Sequence, residues 1–368
     1  MLFKLLDFMN RVLLIQTAFI GDVILTTPMI RAFKRFFPGT KLTVMVKPQA
    51  VSLLKDNPDI DEILVLDKGK KGKHRGVTGI FKMGEEIRAK KFDVLLAVHQ
   101  SHRTGFLSYL SGIPERHGYE TAGFAKFAYT HLHKRDMQQP EIIRLLAFLE
   151  DSLAKGASEE SKDLLLYEND ASKKEATNLL ESLSIKKPFL VAPSSVWPTK
   201  RWTPWGFAKL CRLIIDEYKT EILLVGARED REIAQEVLGF VKILLPERYH
   251  SKIEDVCGKT SLMGLYSLMK RSSLLVSNDS APVHIACAAK IPVVSIFGPT
   301  TTSLGFAPLT VNSTVAQIDL PCRPCGLHGS RKCPLGHFRC MKELDEHMVF
   351  HKVKEVYNYR ETEEAASE

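Results

Sequence analysis

The segment 274–300 (LLVSNDSAPVHIACAAKIPVVSIFGPT) places polar side chains where an apolar, strand-like run meets a helix of small residues. Asp279 and His284 lie at that junction, and the predicted helix begins at Ser280 and Ala281. A helix start presents N–H groups and the positive end of the helix dipole, which bind anions. The pattern predicts a site for a phosphorylated ligand, although an ordinary strand–helix–strand unit with Asp279 and Ser280 as helix caps has the same pattern.

A second segment, 192–205 (APSSVWPTKRWTPW), follows another apolar run. Ser194 and Ser195 are hydroxyl donors suited to phosphate, and Lys200 and Arg201 add positive charge. Positive charge at this position could stabilise a leaving diphosphate, a role that often dominates transfer catalysis. The two tryptophans beside a proline could equally be packing anchors. The basic residues next to serines favour an anion site.

A third segment, 18–28 (AFIGDVILTTP), joins the first predicted strand to a helix over 22–37. Gly21 permits close approach of the backbone, and Asp22 lies in the first turn of the helix. An aspartate there can complement the helix dipole, or it can act as a general base at the carboxyl end of the strand. One glycine does not make the dinucleotide-binding fingerprint.

Two other charged segments each have a functional and a structural interpretation. Glu229 or Asp230, after a further predicted strand, could hold ribose hydroxyls, although acids are common at helix starts. The basic run 68–75 (KGKKGKHR) contains Lys70, Lys71 and Lys73. It suits contact with an anionic acceptor or a membrane surface, or it is a solvated flexible loop.

Four of the seven cysteines form the pattern Cys322-x2-Cys325-x7-Cys333-x6-Cys340, with two histidines among them. A CxxC followed by two further cysteines suggests a structural zinc site. The spacing differs from the paired CxxC motifs of a zinc ribbon, so a reduced structural knot is the alternative. Disulfides are disfavoured in the cytosol, and no cysteine has the context of a nucleophile.

The elements that position these residues alternate between strand and helix along the chain, which indicates parallel, doubly wound sheets. A stretch rich in Glu, Lys, Ser and Asn over 150–187 separates two such series, and the acidic tail is predicted to be disordered. The α/β sequence therefore predicts two domains with a cleft between them. The predicted strands are 11–16, 41–46, 62–66, 92–98, 189–192, 221–225, 274–276 and 293–296.

Length and composition agree with this division. The 368 residues exceed one typical domain, and 51 Lys and Arg against 43 Asp and Glu give a net charge of +8. That excess suits an anionic partner such as a nucleotide, a phospholipid surface or a phosphorylated glycan. No window is apolar enough to span a bilayer, and residues 1–11 are expected to form a fraying extension or a short interfacial helix. The sequence predicts a cytoplasmic protein.

Taken together, the motifs resemble the family-nine glycosyltransferases, the bacterial lipopolysaccharide heptosyltransferases. The resemblance rests on IGDVILTTP, HQSHRTGFLSYLSGIPERHGY, PSSVWPTKRWTPWGFAKL, SNDSAPVHIACAAKIPVVSIFGPT and CRPCGLHGSRKCPLGHFRCM. These segments span most of the chain from residue 11 to about 341. The cysteine block is similar to that of the heptosyltransferase II branch.

The resemblance implies a GT-B fold, with two Rossmann-like domains facing a central cleft. Residues 1–165 would bind the acceptor, residues 166–342 would bind the donor, and 343–368 would form a helix returning to the first domain and a disordered tail. The implied reaction is inverting transfer of heptose from ADP-heptose to a heptose of the lipopolysaccharide inner core. The implied location is cytoplasmic, with peripheral contact at the inner membrane. No cofactor is implied for catalysis, and a structural zinc at the cysteines stays one of the two alternatives given above.

Roles for individual residues follow from the same resemblance. Asp22 would take the proton from the acceptor hydroxyl, and Lys200 would neutralise the departing diphosphate. Ala281 stands where related sequences often have glycine. The expected donor-binding residues are Ser194, Ser195, Glu229, Asp230, Thr260, Asp279, Ser280, Ala281 and His284, and the expected acceptor-binding residues are Arg103, Lys70, Lys71 and Lys73.

Other functions remain open at the level of sequence. Within the family, the donor could be another nucleotide-linked sugar, or the acceptor could be that of heptosyltransferase I. The net charge and cysteines also suggest a zinc-containing nucleic-acid-binding protein, but the basic residues are dispersed and no motif for reading nucleic acid is present, so no nucleic-acid partner is expected. A nucleotide-sugar-binding protein without catalysis would leave Asp22 and Lys200 without an evident purpose.

Overall fold

The computed structural model describes residues 9–310 and 312–367, with side chains through residue 358. The predicted N-terminal extension lies almost entirely outside the described residues. The chain divides into two compact units between Tyr167 and Glu168, two residues beyond the expected boundary. No helix in the described part of the chain is both long and apolar enough to span a bilayer.

The first unit is built on a six-stranded parallel sheet in the order β3-β2-β1-β4-β5-β6. Its central strands are short apolar runs such as Val12 to Ile15, which are buried because helices cover both faces of a parallel sheet. The strands are β1 Arg11–Ile15, β2 Lys41–Val46, β3 Glu62–Val65, β4 Val94–Ala97, β5 Glu115–Tyr119 and β6 His131–His133.

The helix predicted over 22–37 is two helices in the structure, α1 Ile20–Leu25 and α2 Thr27–Phe36. Thr26 ends the first and begins the second, and Pro28, which lacks an N–H, lies in the first turn of α2 where none is needed. The other helices of this unit are α3 Val51–Leu54, α4 Gly76–Ala89, α5 His102–Ser111, α6 Ala125–Ala128 and α7 Glu141–Ser152.

The second unit repeats the same plan, with a six-stranded parallel sheet in the order β12-β11-β10-β7-β8-β9. Its strands are β7 Phe189–Ala192, β8 Ile222–Leu224, β9 Ile253–Asp255, β10 Leu274–Asn278, β11 Val293–Ile296 and β12 Ser313–Ala316. Its helices are α8 Asp170–Leu183, α9 Pro204–Tyr218, α10 Arg231–Leu244, α11 Leu262–Met269, α12 Ala281–Ala289, α13 Arg339–Lys342 and α14 Glu346–Ser367.

Helix α14 packs on the second unit, where Val349, Val353 and Val356 join the apolar core around Phe189 and Trp202. The helix continues to Ser367, through residues whose acidic composition predicts disorder. Glutamate and alanine are good helix formers, so a helix is compatible with this composition. Return of the helix to the first domain stays a prediction.

Both sheets have the strand order of a Rossmann fold, which confirms the expected doubly wound α/β class. In such a sheet the connections run in opposite directions from two central strands, and ligands bind beyond the carboxyl ends of those strands. The central pairs are β1 with β4 and β7 with β10. Asp22 follows β1, and Asp279 follows β10.

Candidate active site

In the second unit, the carboxylate of Asp279 is the centre of a buried polar group. Lys200 Nζ donates to Asp279 Oδ2 at 2.5 Å, and Thr300 Oγ1 donates to the same oxygen at 2.6 Å. Lys200 and Asp279 are both largely shielded from solvent, so their attraction is screened much less than that of a surface ion pair. The structure thus unites two predicted site residues and adds Thr300, which the sequence reasoning missed.

The turn that carries Lys200 is held in place by Asn278, the last residue of β10. Asn278 Oδ1 accepts the N–H of Trp202 at 2.9 Å, and its Nδ2 donates to the carbonyl of Pro193 at 2.8 Å. Asn278 is fully buried, so these bonds are not exchanged with water. One side chain therefore joins both ends of the loop after β7 to the neighbouring strand.

Helix α12 begins without the predicted side-chain cap. Its N-cap is Ser280, whose side chain makes no capping hydrogen bond. The Ser280 hydroxyl instead donates to the carbonyl of Asn278 at 3.2 Å, and Asp279 is held by Lys200 and Thr300. The alternative interpretation, in which Asp279 and Ser280 are side-chain caps of an ordinary helix, is therefore wrong. The positive end of the helix dipole at Ser280 and Ala281 lies next to the Lys200–Asp279 pair.

Two histidines lie close to this pair. Burial lowers the pKa of His284 to about 4, with Lys200 lowering it further and Asp279 opposing the change. Burial also lowers the pKa of His328, and the same two charged groups act on it. A neutral imidazole can exchange hydrogen bonds with hydroxyl groups without adding charge. His328 belongs to the cysteine block, and its position beside Lys200 and Asp279 was not predicted.

The cysteine block packs against the turns that hold Lys200 and Thr300. Thr199 Oγ1 donates to the carbonyl of Ser330 at 2.9 Å, and the Ser330 N–H donates back to Thr199 Oγ1 at 2.8 Å. The guanidinium of Arg323 donates to the carbonyl of Thr300 at 2.8 Å and to Gln317 Oε1 at 2.9 Å. The segment therefore supports the site through its backbone and Arg323.

The four cysteines of this block are free thiols and do not fit a closed zinc site as they stand. Among the described residues, no three metal-ligating atoms of this block lie within 4.8 Å of one another. The Sγ atom of Cys322 is 3.9 Å from His337 Nε2, while Cys340 is buried. Four tetrahedral ligands at Zn–S distances of about 2.3 Å require closer grouping.

The remaining predicted donor residues lie on turns after β7, β8 and β9. Ser194 Oγ is buried with no hydrogen-bond partner in the described part of the chain. Asp230 Oδ2 accepts the N–H of Ala227 at 2.8 Å and so closes its own turn, whereas Glu229 is exposed. Thr260 is half-buried after β9. The Gly258 N–H donates to Gly226 at 2.9 Å, which joins the turns after β8 and β9.

In the first unit, Asp22 lies in the first turn of α1. Its Oδ2 accepts the N–H of Phe19 at 3.0 Å, which fixes the carboxylate beside the loop after β1. Burial raises the pKa of Asp22 from 3.8 to about 6, and the negative charge of Glu141 adds to this rise while Arg135 opposes it. A carboxylate with a pKa near 6 is a better proton acceptor at neutral pH than an ordinary aspartate.

Two lysines and a histidine follow the neighbouring strands. Lys47 comes directly after β2, Lys68 shortly after β3 and His99 shortly after β4. Burial and the charge of Lys68 lower the pKa of Lys47, while Asp22 opposes this change. Burial and both lysines lower the pKa of His99 to about 4. The sequence reasoning missed Lys47 and His99 and included Lys68 only as part of the basic run 68–75, although each one follows a predicted strand.

The four predicted acceptor-binding residues have different environments. Burial and then the charge of Arg103 lower the pKa of Lys68, so Arg103 belongs to the cationic group. Lys70 and Lys71 are exposed on the loop before α4. Lys73 pairs with Glu86 at 3.0 Å. Lys47, Lys68 and Arg103 therefore form a series of neighbouring positive groups in which Lys47 interacts with Asp22, while Lys73 is engaged elsewhere.

Comparison with known proteins agrees with these features. The model of glycosyltransferase family 9 (heptosyltransferase) matches residues 80–335. Lipooligosaccharide heptosyltransferase 2 of Campylobacter jejuni subsp. jejuni serotype O:6 (strain 81116 / NCTC 11828) is 26% identical over 341 residues, 92% of this chain and 96% of that protein.

Two solved structures share the fold. The family 9 glycosyl transferase from Veillonella parvula DSM 2008 has a TM-score of 0.82 and 23% identity, covering 95% of this chain and 98% of that one. E. coli ADP-heptose LPS heptosyltransferase II has a TM-score of 0.75 and 21% identity, covering 95% and 99%. The resemblance read from the motifs is confirmed: the chain is a glycosyltransferase and belongs to glycosyltransferase family 9, the heptosyltransferases.

Proposed function

We propose that this enzyme transfers heptose from ADP-heptose to a heptose of the lipopolysaccharide inner core, with inversion at the anomeric carbon. The observation that carries the proposal is the Lys200–Asp279 pair beside the uncapped start of α12, which suits a sugar diphosphate. The similarity to heptosyltransferase 2 of Campylobacter jejuni supports heptose as the sugar and lipid-linked glycan as the acceptor class.

In the donor half, Lys200 neutralises the negative charge that develops on the departing diphosphate. The backbone N–H groups at Ser280 and Ala281 add hydrogen bonds where the helix dipole is positive. A side chain at Ala281 is small enough to allow that approach. The buried hydroxyl of Ser194 and the hydroxyl of the neighbouring Ser195 are further hydrogen-bond donors on the loop after β7, which also carries Lys200.

The sugar and the nucleoside are assigned to the surrounding residues. Asp279 and neutral His284 accept and donate hydrogen bonds to the heptose hydroxyls, and Thr300 keeps the Asp279 carboxylate oriented. Glu229 takes the ribose, because the Asp230 carboxylate already closes its own turn. Thr260, on the adjoining turn after β9, lines the adenine pocket.

In the acceptor half, Asp22 accepts the proton of the attacking hydroxyl. The hydroxyl oxygen then forms a bond to the anomeric carbon as the bond from that carbon to the ADP oxygen breaks, and the electron pair leaves with ADP. A single displacement from the opposite face inverts the configuration and needs no covalent enzyme intermediate. Arg103, Lys47 and Lys68 bind an anionic group of the acceptor, with Lys70 and Lys71 at the rim.

Catalysis by these groups needs no metal or organic cofactor, because Lys200 and the start of α12 together supply the positive charge that a cation would supply. Zinc at Cys322, Cys325, Cys333 and Cys340 stays a separate prediction with a structural role. It requires the thiols to close around the ion, and metal analysis of the purified chain tests it.

We further propose contact with the cytoplasmic face of the inner membrane through an aromatic patch, defined as Val77, Phe81, Phe106, Phe124 and Phe127. The ring centroids of Phe81 and Phe106 are 5.9 Å apart, those of Phe106 and Phe124 6.1 Å, and those of Phe124 and Phe127 5.4 Å. Val77 is 67% exposed and Phe127 68% exposed.

The surroundings of the aromatic patch suit an anionic lipid surface. The basic run 68–75 leads directly into α4, which carries Val77 and Phe81, and Lys126 is exposed on α6 beside Phe127. Aromatic side chains favour the interface between lipid and water, and lysines near them are attracted to anionic headgroups. Such contact would bring the acceptor half to a lipid-anchored substrate.

The test is transfer by the purified full chain given ADP-heptose and an inner-core acceptor that carries heptose. We expect ADP release above background. We also expect the anomeric carbon of the transferred heptose to have the opposite configuration in the product from that in ADP-heptose, as measured by NMR. Asp22→Asn should lower kcat by at least about a hundredfold, as expected for loss of a general base, with donor affinity nearly unchanged. The matched control is Asp151→Asn, at an exposed aspartate on α7.

Release of no ADP, or lost donor binding in Asp22→Asn, would overturn the proposal. The same assay with other nucleotide-linked sugars, and with an acceptor that lacks the first heptose, distinguishes the alternatives within the family. Family membership favours a transferase over the alternative of a nucleic-acid-binding protein.

A further inference from the structure

A cluster of imidazole and carboxylate groups lies on two adjacent strands of the first unit, away from the residues assigned to transfer. Alternate residues of a strand share one face of a sheet. Glu115 and His117 therefore share a face of β5, and His131 and His133 share a face of β6. The parallel register pairs His117 with His131. We call these four residues the histidine cluster.

The contacts within the histidine cluster are close. His117 is 2% exposed, its Nε2 is 2.8 Å from Glu115 Oε1, and its Nδ1 is 2.9 Å from His133 Nε2. The rings of His117 and His131 stack with centroids 4.6 Å apart and planes 12° apart. Glu115, His117 and His131 each offer one ligand atom, and the three atoms lie within 4.8 Å of one another.

The position of the histidine cluster separates it from the proposed active site. Glu115 is the first residue of β5 and His131 the first residue of β6, so these two residues lie at the amino ends of their strands, while His133 is the last residue of β6. Asp22, Lys68 and His99 follow the carboxyl ends of their strands. The ring of Phe148 packs on His133 at 5.0 Å, whereas His131 is exposed. A ligand would enter on the side of His131 and Glu115.

The arrangement has the parts of a metal site with an oriented histidine. If His117 Nδ1 donates its proton to His133 Nε2, the lone pair of His117 Nε2 points toward Glu115. Metal-ligating histidines are commonly oriented in this way by a hydrogen bond from the other ring nitrogen. Two imidazoles and one carboxylate suit Zn²⁺, with water in an open fourth position.

We propose that Glu115, His117 and His131 bind a zinc-type divalent cation, with His133 as the residue that orients His117. The ion would join edge strand β6 to β5 through side chains, in addition to the backbone ladder. This site is distinct from the cysteine block, which lies in the second unit. It is also independent of heptose transfer, so its test does not use enzyme activity.

The experiment is titration of the reduced, metal-free full chain with Co²⁺, followed by optical absorption. A site of nitrogen and oxygen ligands gives d–d bands in the visible range without the intense near-ultraviolet charge-transfer bands of thiolate ligands, so cobalt at the cysteines is recognised separately. We expect one equivalent with nitrogen and oxygen ligation and competition by Zn²⁺. His131→Ala and Glu115→Gln should each weaken this binding by at least tenfold.

His351→Ala, at an exposed histidine on α14, is the matched control and should bind as the original chain does. Zn²⁺ should also raise the melting temperature of the original chain, and this rise should be smaller in His131→Ala and Glu115→Gln, in which the cysteines are intact. Circular dichroism confirms that both variants are folded. Absence of a nitrogen- and oxygen-ligated equivalent, or its retention in both variants, would overturn the proposal.

Discussion

Asp22 illustrates how the environment of one residue sets its chemistry. The pKa of its carboxyl is raised to about 6, chiefly by burial. A base must be deprotonated, so kcat/KM should be nearly constant above pH 7 and fall by tenfold for each pH unit well below 6. The measurement is the pH dependence of kcat/KM for the acceptor. An acidic limb near pH 4, typical of an unperturbed aspartate, would contradict this assignment.

The same shift has a consequence for stability. Because the folded-state pKa lies above the ordinary value of 3.8, the folded protein gains stability from the bound proton below about pH 4 and loses that gain as pH rises through 6. The rise corresponds to up to about 3 kcal/mol. Asp22→Asn removes the buried charge, so this variant should be more stable than the original chain at pH 7 even though its kcat is lowered. Urea unfolding at pH 7 and pH 4 tests this, since the difference should vanish at pH 4.

Part of the site could be predicted from residue types in the sequence, and part could not. Lys200 and Asp279 stand out because each charged residue follows an apolar strand, and the structure pairs them. Lys47 follows a strand in the same way but looks like an ordinary surface lysine. The contribution of Thr300 depends on the order of β10 and β11 in the sheet, which the local sequence does not contain. Contacts between turns are set by sheet topology.

At the scale of elements, strands made mostly of apolar residues were predicted and strands with more polar side chains were missed. The strands β5, β6, β9 and β12 carry charged or hydroxyl side chains and lie toward the edges of the sheets. Strands at or next to the edge of a sheet are less enclosed than central strands, so they tolerate more polar side chains. The break between α1 and α2 was missed because the apolar periodicity continues through Thr26.

Arg323 connects two elements of the second unit. Its guanidinium holds the turn after β11 by hydrogen bonds to several carbonyls, including Thr300. Lysine has one ammonium group and cannot reproduce a planar fork of donors. Arg323→Lys should therefore release the turn, misplace Thr300 and Asp279, and raise the KM for the donor by about tenfold or more. The expected loss of stability is about 1–3 kcal/mol.

The control for this prediction is Arg331→Lys, at an exposed arginine of the same segment. Steady-state kinetics are measured first with the donor concentration varied and then with the acceptor concentration varied. The two series separate an effect on the KM for the donor from an effect on the KM for the acceptor. The KM for the acceptor should stay within about twofold in both variants. Equal changes in both KM values for Arg323→Lys would mean that the whole chain is disturbed, and the supporting role of the turn would then be rejected.

For the whole molecule, the alternation of strands and helices predicted two α/β units, and the change in composition over 150–187 marked the region between them. The structure divides the chain within that region. Exposed aromatic surface could not be predicted in this way. Phe81, Phe106 and Phe124 come from separate elements, and only the packing of α4, α5 and α6 brings their rings together.

The aromatic patch should direct the first unit to a lipid surface. Because burial of one large apolar side chain contributes roughly 1.5–3 kcal/mol, the double variant Phe81→Ser with Phe127→Ser should weaken vesicle binding by at least about a hundredfold. Co-sedimentation with vesicles of phosphatidylglycerol and phosphatidylcholine measures this. Vesicles of phosphatidylcholine alone, or high salt, should weaken binding of the original chain, because the basic run 68–75 acts through charge.

Ile243→Ser with Leu309→Ser, at exposed apolar residues of the second unit, is the matched control and should bind normally. Equal loss in both double variants would show that binding depends on general hydrophobicity rather than on this patch.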